Sequence, residues 1–154
     1  MKKRTLRETI ELIDEYKKDL SKEEYNELIR SKYIGVEHRY ARELEKLLLE
    51  FREYYKSILG KKIARDRIVN KAIEIINIDE IINEIESKEV KLRNELRANV
   101  DISIINCKKI FNIQDRIGIS RNNLINFLTL KYFGENSFED ILKEIDSENS
   151  KSEK

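Results

Sequence analysis

The chain has 154 residues and a formal net charge of +1, with 31 Lys and Arg against 30 Asp and Glu, which argues against a strongly basic nucleic-acid coat protein. Its length fits one domain, with or without a small appendage, and 40% hydrophobic residues suffice for a core. It has no proline and only four glycines, so helix is the default expectation throughout.

The few reactive residues point away from catalysis. A single cysteine, Cys107, excludes an internal disulfide and suits a reducing compartment. There is no apolar leader and no run approaching the ~18 apolar residues that span a bilayer, so we expect a cytoplasmic protein without a membrane partner. We expect His38 on the surface and Cys107 buried and inert. With no glycine-rich loop or ligand cluster, the sequence predicts no enzyme activity, metal or cofactor.

The first two predicted helices cover Thr5–Asp19 and Lys22–Ile34. Ser21 and Glu24 have the spacing of a capping box, in which each side chain accepts a hydrogen bond from the other residue's backbone N–H. The sequence therefore predicts that the second helix begins at Lys22.

A third helix is predicted over Val36–Leu59, because apolar residues recur there at alternating spacings of four and three. This heptad-type seam consists of Tyr40, Leu44, Leu47, Phe51, Tyr54 and Ile58. Leu48 and Tyr55 widen the stripe, which favours a globular bundle over a thin coiled coil.

A fourth helical segment, Ala64–Ala98, repeats the apolar pattern. Either it is one long helix, or Asn77–Asp79 interrupts it and Asp79 caps a further helix. Two such seams indicate antiparallel packing or self-association, so we expect a homodimer or higher oligomer, with residues 1–98 as its helical module. The basic run Lys61–Arg67 begins this segment, where positive charge opposes the helix dipole. It indicates an external anion such as a DNA backbone, or simply a solvated bend.

Residues 100–104 alternate between apolar and polar like a strand. One short strand without a partner is not expected to be stable, so a helix over Ile102–Ile110 is predicted instead. No internal repeat is evident.

The stretch from Ile113 to Phe127 has the apolar spacing of two short helices joined by a tight turn. Gly118 can take the positive φ that such a turn needs, and Ser120 stands where the second helix needs an N-cap. The apolar residues that would pack the two helices together are Ile113, Ile117, Ile119, Leu124 and Phe127.

At this point RIGISRNNLINFL resembles the helix-turn-helix superfamily of DNA-binding proteins, over about residues 112–133. Gln114 departs from the pattern, because alanine is usual where the two helices touch. The resemblance implies that the exposed face of helix Ser120–Phe133 reads DNA bases. The implied base-reading residues are Ser120, Arg121, Asn122, Ile125 and Asn126. The implied phosphate contacts are Lys108, Lys109, Arg116 and Lys131.

The expected fold is therefore all-α, a helical bundle with long heptad-patterned helices and a C-terminal helix-turn-helix-like trihelical unit. That unit would span residues 99–146 and include a helix over Phe138–Ile145 capped by Ser137, with residues 147–154 a disordered tail. The expected function is sequence-specific DNA binding, in transcription regulation or in replication or partition of a mobile element. The alternatives are a helical assembly or adaptor protein with protein partners, or a protein inhibitor of a nucleoprotein machine.

Overall fold

The part of the protein that the structure describes is mostly helical and contains one two-stranded sheet. The computed structural model describes residues 5–16, 18–86 and 94–152. Across these ranges the elements follow in the order α1 (Leu6–Tyr16), α2 (Lys22–Ser31), β1 (Tyr33–Ala41), α3 (Arg42–Leu59), α4 (Arg65–Glu74), α5 (Ile78–Glu86), β2 (Asn94–Ser103), α6 (Ile104–Ile117), α7 (Arg121–Glu135) and α8 (Phe138–Ser152). The helical part of the fold prediction is confirmed, and the sheet corrects its all-α form.

The sheet is an antiparallel pair of β1 and β2, which we call the ribbon. Its register runs from Tyr33 opposite Ser103 to Arg39 opposite Arg97, with an irregularity after Tyr40. Successive side chains on a strand point to opposite faces. Val36, His38 and Tyr40 of β1 are buried on the inner face together with Val100 and Ile102 of β2.

The ribbon corrects two predictions. Residues 100–103 do belong to a strand, because β1 supplies the partner that was not expected, and the helix that follows begins at Ile104 and not at Ile102. The third helix begins at Arg42 and not at Val36, so Tyr40 lies in β1. The fourth segment is also not one helix, since it contains α4, α5 and part of β2; its residues 87–93 lie outside the described ranges.

The apolar stripe of α3 differs from the predicted heptad seam. Leu44, Leu48, Phe51 and Tyr55 are fully buried, whereas Ile58 is 57% exposed. The neighbouring helices of the same chain thus cover the stripe. The argument for self-association through this seam disappears, although the oligomeric state itself stays a prediction.

Several helix boundaries follow from local hydrogen bonds. The capping box of Ser21 and Glu24 is confirmed, and Ser137 Oγ accepts a hydrogen bond from Asp140 N at 3.1 Å at the start of α8, as predicted. The break before α5 is present, but its cap is Asn77, whose Oδ1 accepts from Glu80 N at 3.2 Å, and not Asp79.

The predicted domain division does not match the packing. The boundary between residues 98 and 99 falls inside β2, and the buried apolar residues form one continuous cluster from Ile10 to Ile145. Helix α8 extends to Ser152 through residues that were expected to be disordered, while residues 153 and 154 lie outside the described ranges.

The fold contains a structural repeat, although no internal repeat is evident in the sequence. In each copy a strand leads directly into a helix that ends on a left-handed glycine, and a second helix follows. The first copy is β1, α3, Gly60 and α4, and the second is β2, α6, Gly118 and α7, with φ values of 70° and 69° at the glycines. Because α4 and α7 contact each other, the two copies share one core.

Candidate nucleic-acid interface

The polar side chains at the start of α7 hydrogen-bond to the outer edge of β1. Asn126 is fully buried; its Oδ1 accepts from Ala41 N at 3.1 Å and its Nδ2 donates to Arg39 O at 2.9 Å. One turn earlier, Asn122 Oδ1 accepts from Arg39 N at 3.4 Å. These backbone groups point away from β2, so α7 takes the place of a third strand.

Helix α4 holds the outer edge of β2 in the same way. Asp66 Oδ2 accepts from Asp101 N at 3.0 Å, and Asn70 Oδ1 accepts from Ser103 N at 3.0 Å. Asn70 Nδ2 donates to Asp101 O at 2.8 Å. Each strand is therefore held at its edge by the second helix of the other copy, which fixes the ribbon between α4 and α7.

This packing contradicts the predicted reading face of α7. Ile125 and Asn126 are fully buried, and Asn122 is turned toward β1. Arg121 Nη2 donates to Glu37 O at 3.3 Å, and only Ser120 is exposed, with its Oγ accepting from Asn123 N. The left-handed Gly118 and the Ser120 cap are confirmed, but the helix that follows them presents its polar residues to the ribbon.

Gln114, the departure from the helix-turn-helix pattern, lies at the same turn. Its Nε2 donates to Ile119 O at 3.2 Å. The long side chain therefore lies along the turn, where alanine is usual in the superfamily.

The four cations predicted to contact phosphate bind instead to other helices of the chain. Lys108 pairs with Asp14, Arg116 with Asp79, and Lys131 with Glu84, at 2.7, 3.0 and 2.7 Å. Lys109 Nζ donates to Glu74 O at 2.5 Å. Their partners lie on α1, α4 and α5, so each of these cations already contacts a helix other than its own.

His38 connects the ribbon to α7 and is fully buried, which corrects its predicted surface position. Its Nδ1 and Nε2 each lie 3.1 Å from a side-chain oxygen, of Asn122 and Asn126 respectively. Burial lowers the pKa of His38, although the two asparagine contacts favour the charged form. A neutral imidazole carries one N–H, so it can donate to only one of these two oxygens, whereas the charged form can donate to both.

Cys107, which was predicted to be buried and inert, is buried as expected. Burial raises the pKa of its thiol to about 12, so the thiolate is scarcely populated at neutral pH.

The outer face of the ribbon is exposed and polar. It carries Gly35, Glu37 and Arg39 on β1, and Arg97, Asn99 and Asp101 on β2. Glu37 and Arg97 form an ion pair across the strands at 2.7 Å. A Cβ at position 35 would lie 3.1 Å from Asp101 Oδ1, so glycine leaves room for that carboxylate.

The N-termini of α4 and α7 lie against opposite edges of this face. The N-cap of α4 is Ala64, which offers no side-chain cap, and the exposed Lys61 and Lys62 precede it. Arg65 opens the helix and pairs with Glu45 at 3.2 Å. Free backbone N–H groups at a helix N-terminus, with lysines beside them, are suited to bind phosphate.

Comparisons with protein-family models, with curated proteins and with solved structures find no match to this chain. Within the described ranges, no group of three or more His, Cys, Asp or Glu is placed to hold a metal ion. The helices of those ranges also include none with the length and apolar content to cross a membrane.

The sequence carried a signal for the ribbon that helical periodicity obscured. In YIGVEHRYA the inward residues are the alternate positions 34, 36, 38 and 40, as in a half-buried strand. The outward residues of β1 and β2 were not predicted as a site, because the two strands lie about 60 positions apart along the chain.

Proposed function

We propose that this protein binds duplex DNA with sequence preference through the outer face of the ribbon, not through α7. Such binding fits a transcription regulator, or a replication or partition factor. The observation that carries the proposal is a two-stranded antiparallel ribbon with an exposed, polar outer face and edges held by α4 and α7. The major groove of B-DNA admits a two-stranded ribbon, and several DNA-binding proteins use one.

The side chains on this face have the chemistry of base readout. Arg39 and Arg97 can each donate two hydrogen bonds to guanine, and Asn99 can pair with adenine. Glu37 and Asp101 can accept from the amino group of cytosine. The Glu37–Arg97 ion pair is exposed, with 49% of the Glu37 and 65% of the Arg97 side chain accessible, so exchanging it for base contacts has a small energetic cost.

The flanking helix N-termini supply sequence-independent contacts. With the ribbon in the groove, the starts of α4 and α7 face the two sugar–phosphate backbones. Lys61 and Lys62 would then neutralise phosphates on the α4 side, and Ser120 with the first N–H groups of α7 would contact phosphate on the other. The DNA phosphates would then balance the positive charge of the basic run Lys61–Arg67, which is otherwise unfavourable at the N-terminus of α4.

Two observations weigh against an adaptor that binds protein. The backbone groups at the ribbon edges nearest α4 and α7 are already hydrogen-bonded, so strand addition there is blocked. The most exposed large apolar residues described lie on four different parts of the chain, α1, β1, α3 and the C-terminal end of α4, and do not come from one element: Leu12, Tyr33, Leu49, Ile58 and Ile75.

The test is a titration of labelled duplex DNA, selected from a random pool, followed by fluorescence anisotropy at several salt concentrations. We expect Arg39→Ala to weaken binding to the selected duplex by roughly 10- to 100-fold and to have little effect on random DNA. Replacing Lys61 and Lys62 with Ala should weaken both and reduce the salt dependence by about one unit for each lost contact.

The matched control is Lys131→Ala. Lys131 lies about ten residues beyond the start of α7, roughly 15 Å from the ribbon edge along the helix. Removing this cation should leave binding to both DNAs unchanged. If Lys131→Ala weakens binding while Arg39→Ala does not, or if no duplex binds at low salt, the ribbon is not a DNA-binding surface.

A further inference from the structure

The two strands of the ribbon are related by an approximate two-fold axis, which the hydrogen bonds to α4 and α7 locate. Asn122 accepts from Arg39 N as Asp66 accepts from Asp101 N, so Arg39 and Asp101 are equivalent positions. By the same comparison Ala41 is equivalent to Ser103, because Asn126 accepts from Ala41 N as Asn70 accepts from Ser103 N.

Counting back two residues makes Glu37 equivalent to Asn99, and these two residues are directly opposite each other. The axis therefore passes through this central pair. The next step makes Gly35 equivalent to Arg97. Each strand thus presents three outward positions, related in pairs by the axis.

The side chains at the equivalent positions are different in all three cases. Glycine in one strand corresponds to arginine in the other, glutamate to asparagine, and arginine to aspartate. Because Arg39 and Arg97 are opposite each other, one end of the face is basic. The other end, with Gly35 opposite Asp101, is acidic. A two-fold backbone therefore carries a reading surface without two-fold symmetry.

We infer that one chain recognises one short, non-palindromic duplex site, with the Arg39–Arg97 end over guanine-containing base pairs and the Asp101 end over a different sequence. This inference rests on the proposed function and adds the nature of the target. A ribbon built from two copies of one chain places identical residues at equivalent positions and reads a palindrome. Here a single chain supplies both strands, so neither a second copy nor a palindrome is needed.

The phosphate contacts proposed on the two sides of the ribbon also lack two-fold symmetry. Two lysines precede α4, whereas Ile119 and Ser120 precede α7. The chain should therefore bind the DNA backbone more strongly on the α4 side, which gives the complex a defined orientation on its site.

The experiment is selection of duplexes from a random pool with the full chain, and native mass spectrometry of the complex with the selected duplex. The selection is repeated with Arg39→Ala and with Asp101→Asn, both exposed on the ribbon. We expect a non-palindromic motif, one chain per duplex, and loss of base preference at one end with Arg39→Ala and at the opposite end with Asp101→Asn. The preferred base at each altered position should lose roughly 10-fold or more of its advantage.

A palindromic motif bound by two chains would overturn the inference, and each substitution would then alter both halves of the motif alike. That outcome leaves the proposed DNA binding intact. Absence of any selected motif or of any binding would overturn both, so the two failures are distinguishable.

Discussion

Asn126→Ala separates the structural role of α7 from a DNA-reading role. The side chain is fully buried and forms hydrogen bonds with Ala41 N, Arg39 O and His38 Nε2. Alanine leaves all three groups without this partner, and each buried unsatisfied group costs about 1–3 kcal/mol. Allowing for relaxation, we expect the free energy of unfolding to fall by about 3–5 kcal/mol, a large part of the ~5–15 kcal/mol of a typical domain.

The assay is urea-induced unfolding followed by circular dichroism. Asn99→Ala is the matched control, because it removes the same side chain from the exposed face of the ribbon, and we expect a change below about 0.5 kcal/mol. Asn70→Ala, which removes the equivalent contacts from β2, should resemble Asn126→Ala. An Asn126→Ala protein as stable as the wild type would refute the edge-holding role of α7 and return Asn126 to the set of possible DNA contacts.

Three further predictions test single features. Because burial lowers the pKa of His38, the unfolded chain binds a proton at this residue more readily than the folded protein does. The stability that the neutral imidazole contributes should therefore be complete above the unfolded pKa of about 6.5 and should decline as the pH falls below it. His38→Gln should flatten this pH dependence in thermal melts recorded at several pH values. Gly118→Val should lower the free energy of unfolding by roughly 1–2 kcal/mol or more in the same melts, because φ is 69° at this position. Gly134→Ala is the control: this glycine lies inside α7 with open space for a Cβ, so the substitution should leave stability unchanged or raise it. Lys108→Met should lose the ion pair with Asp14, in which each side chain is about one third exposed. We expect stability to fall by at most about 1 kcal/mol and DNA affinity, measured by anisotropy titration, to stay unchanged.

Features set by local hydrogen bonds were predictable from the sequence. The capping box of Ser21 and Glu24, the left-handed Gly118, and the N-caps at Ser120 and Ser137 all involve residues within a few positions of each other. Their geometry depends on few other parts of the chain, so the spacing of residue types was enough to place them.

The ribbon was not predictable in the same way, because each strand is stable only with the other. Tyr40, at the end of β1, also stands at a position that fits the apolar spacing of α3. For this reason the predicted third helix began within β1, at Val36, and not at Arg42. A strand whose partner is distant in sequence has no local feature that outweighs such a helical pattern.

The burial of α7 did leave a signal in the sequence. A helix that reads DNA from the surface needs one apolar side and one polar side. In α7 the apolar residues Leu124, Ile125, Phe127, Leu130 and Phe133 are distributed around much of the helix, since successive residues are turned by ~100°. A helix apolar on most sides is typical of a core position, and this property argues against a recognition helix even where the turn before it has the expected residues.

The spacing of the polar residues within α4 and α7 matches the spacing of the backbone groups along a strand edge. Residues four apart on a helix are separated by ~6 Å along its axis, and residues two apart on a strand by ~6.6 Å. Two such side chains on a helix can therefore bind two successive outward N–H groups of a strand running beside it. Asn122 and Asn126 do so at positions 39 and 41, and Asp66 and Asn70 at 101 and 103. Asn or Asp pairs at this spacing on a helix that also carries buried apolar residues thus indicate a strand edge beside it, and the two pairs in this chain mark the repeat that general sequence similarity did not reveal.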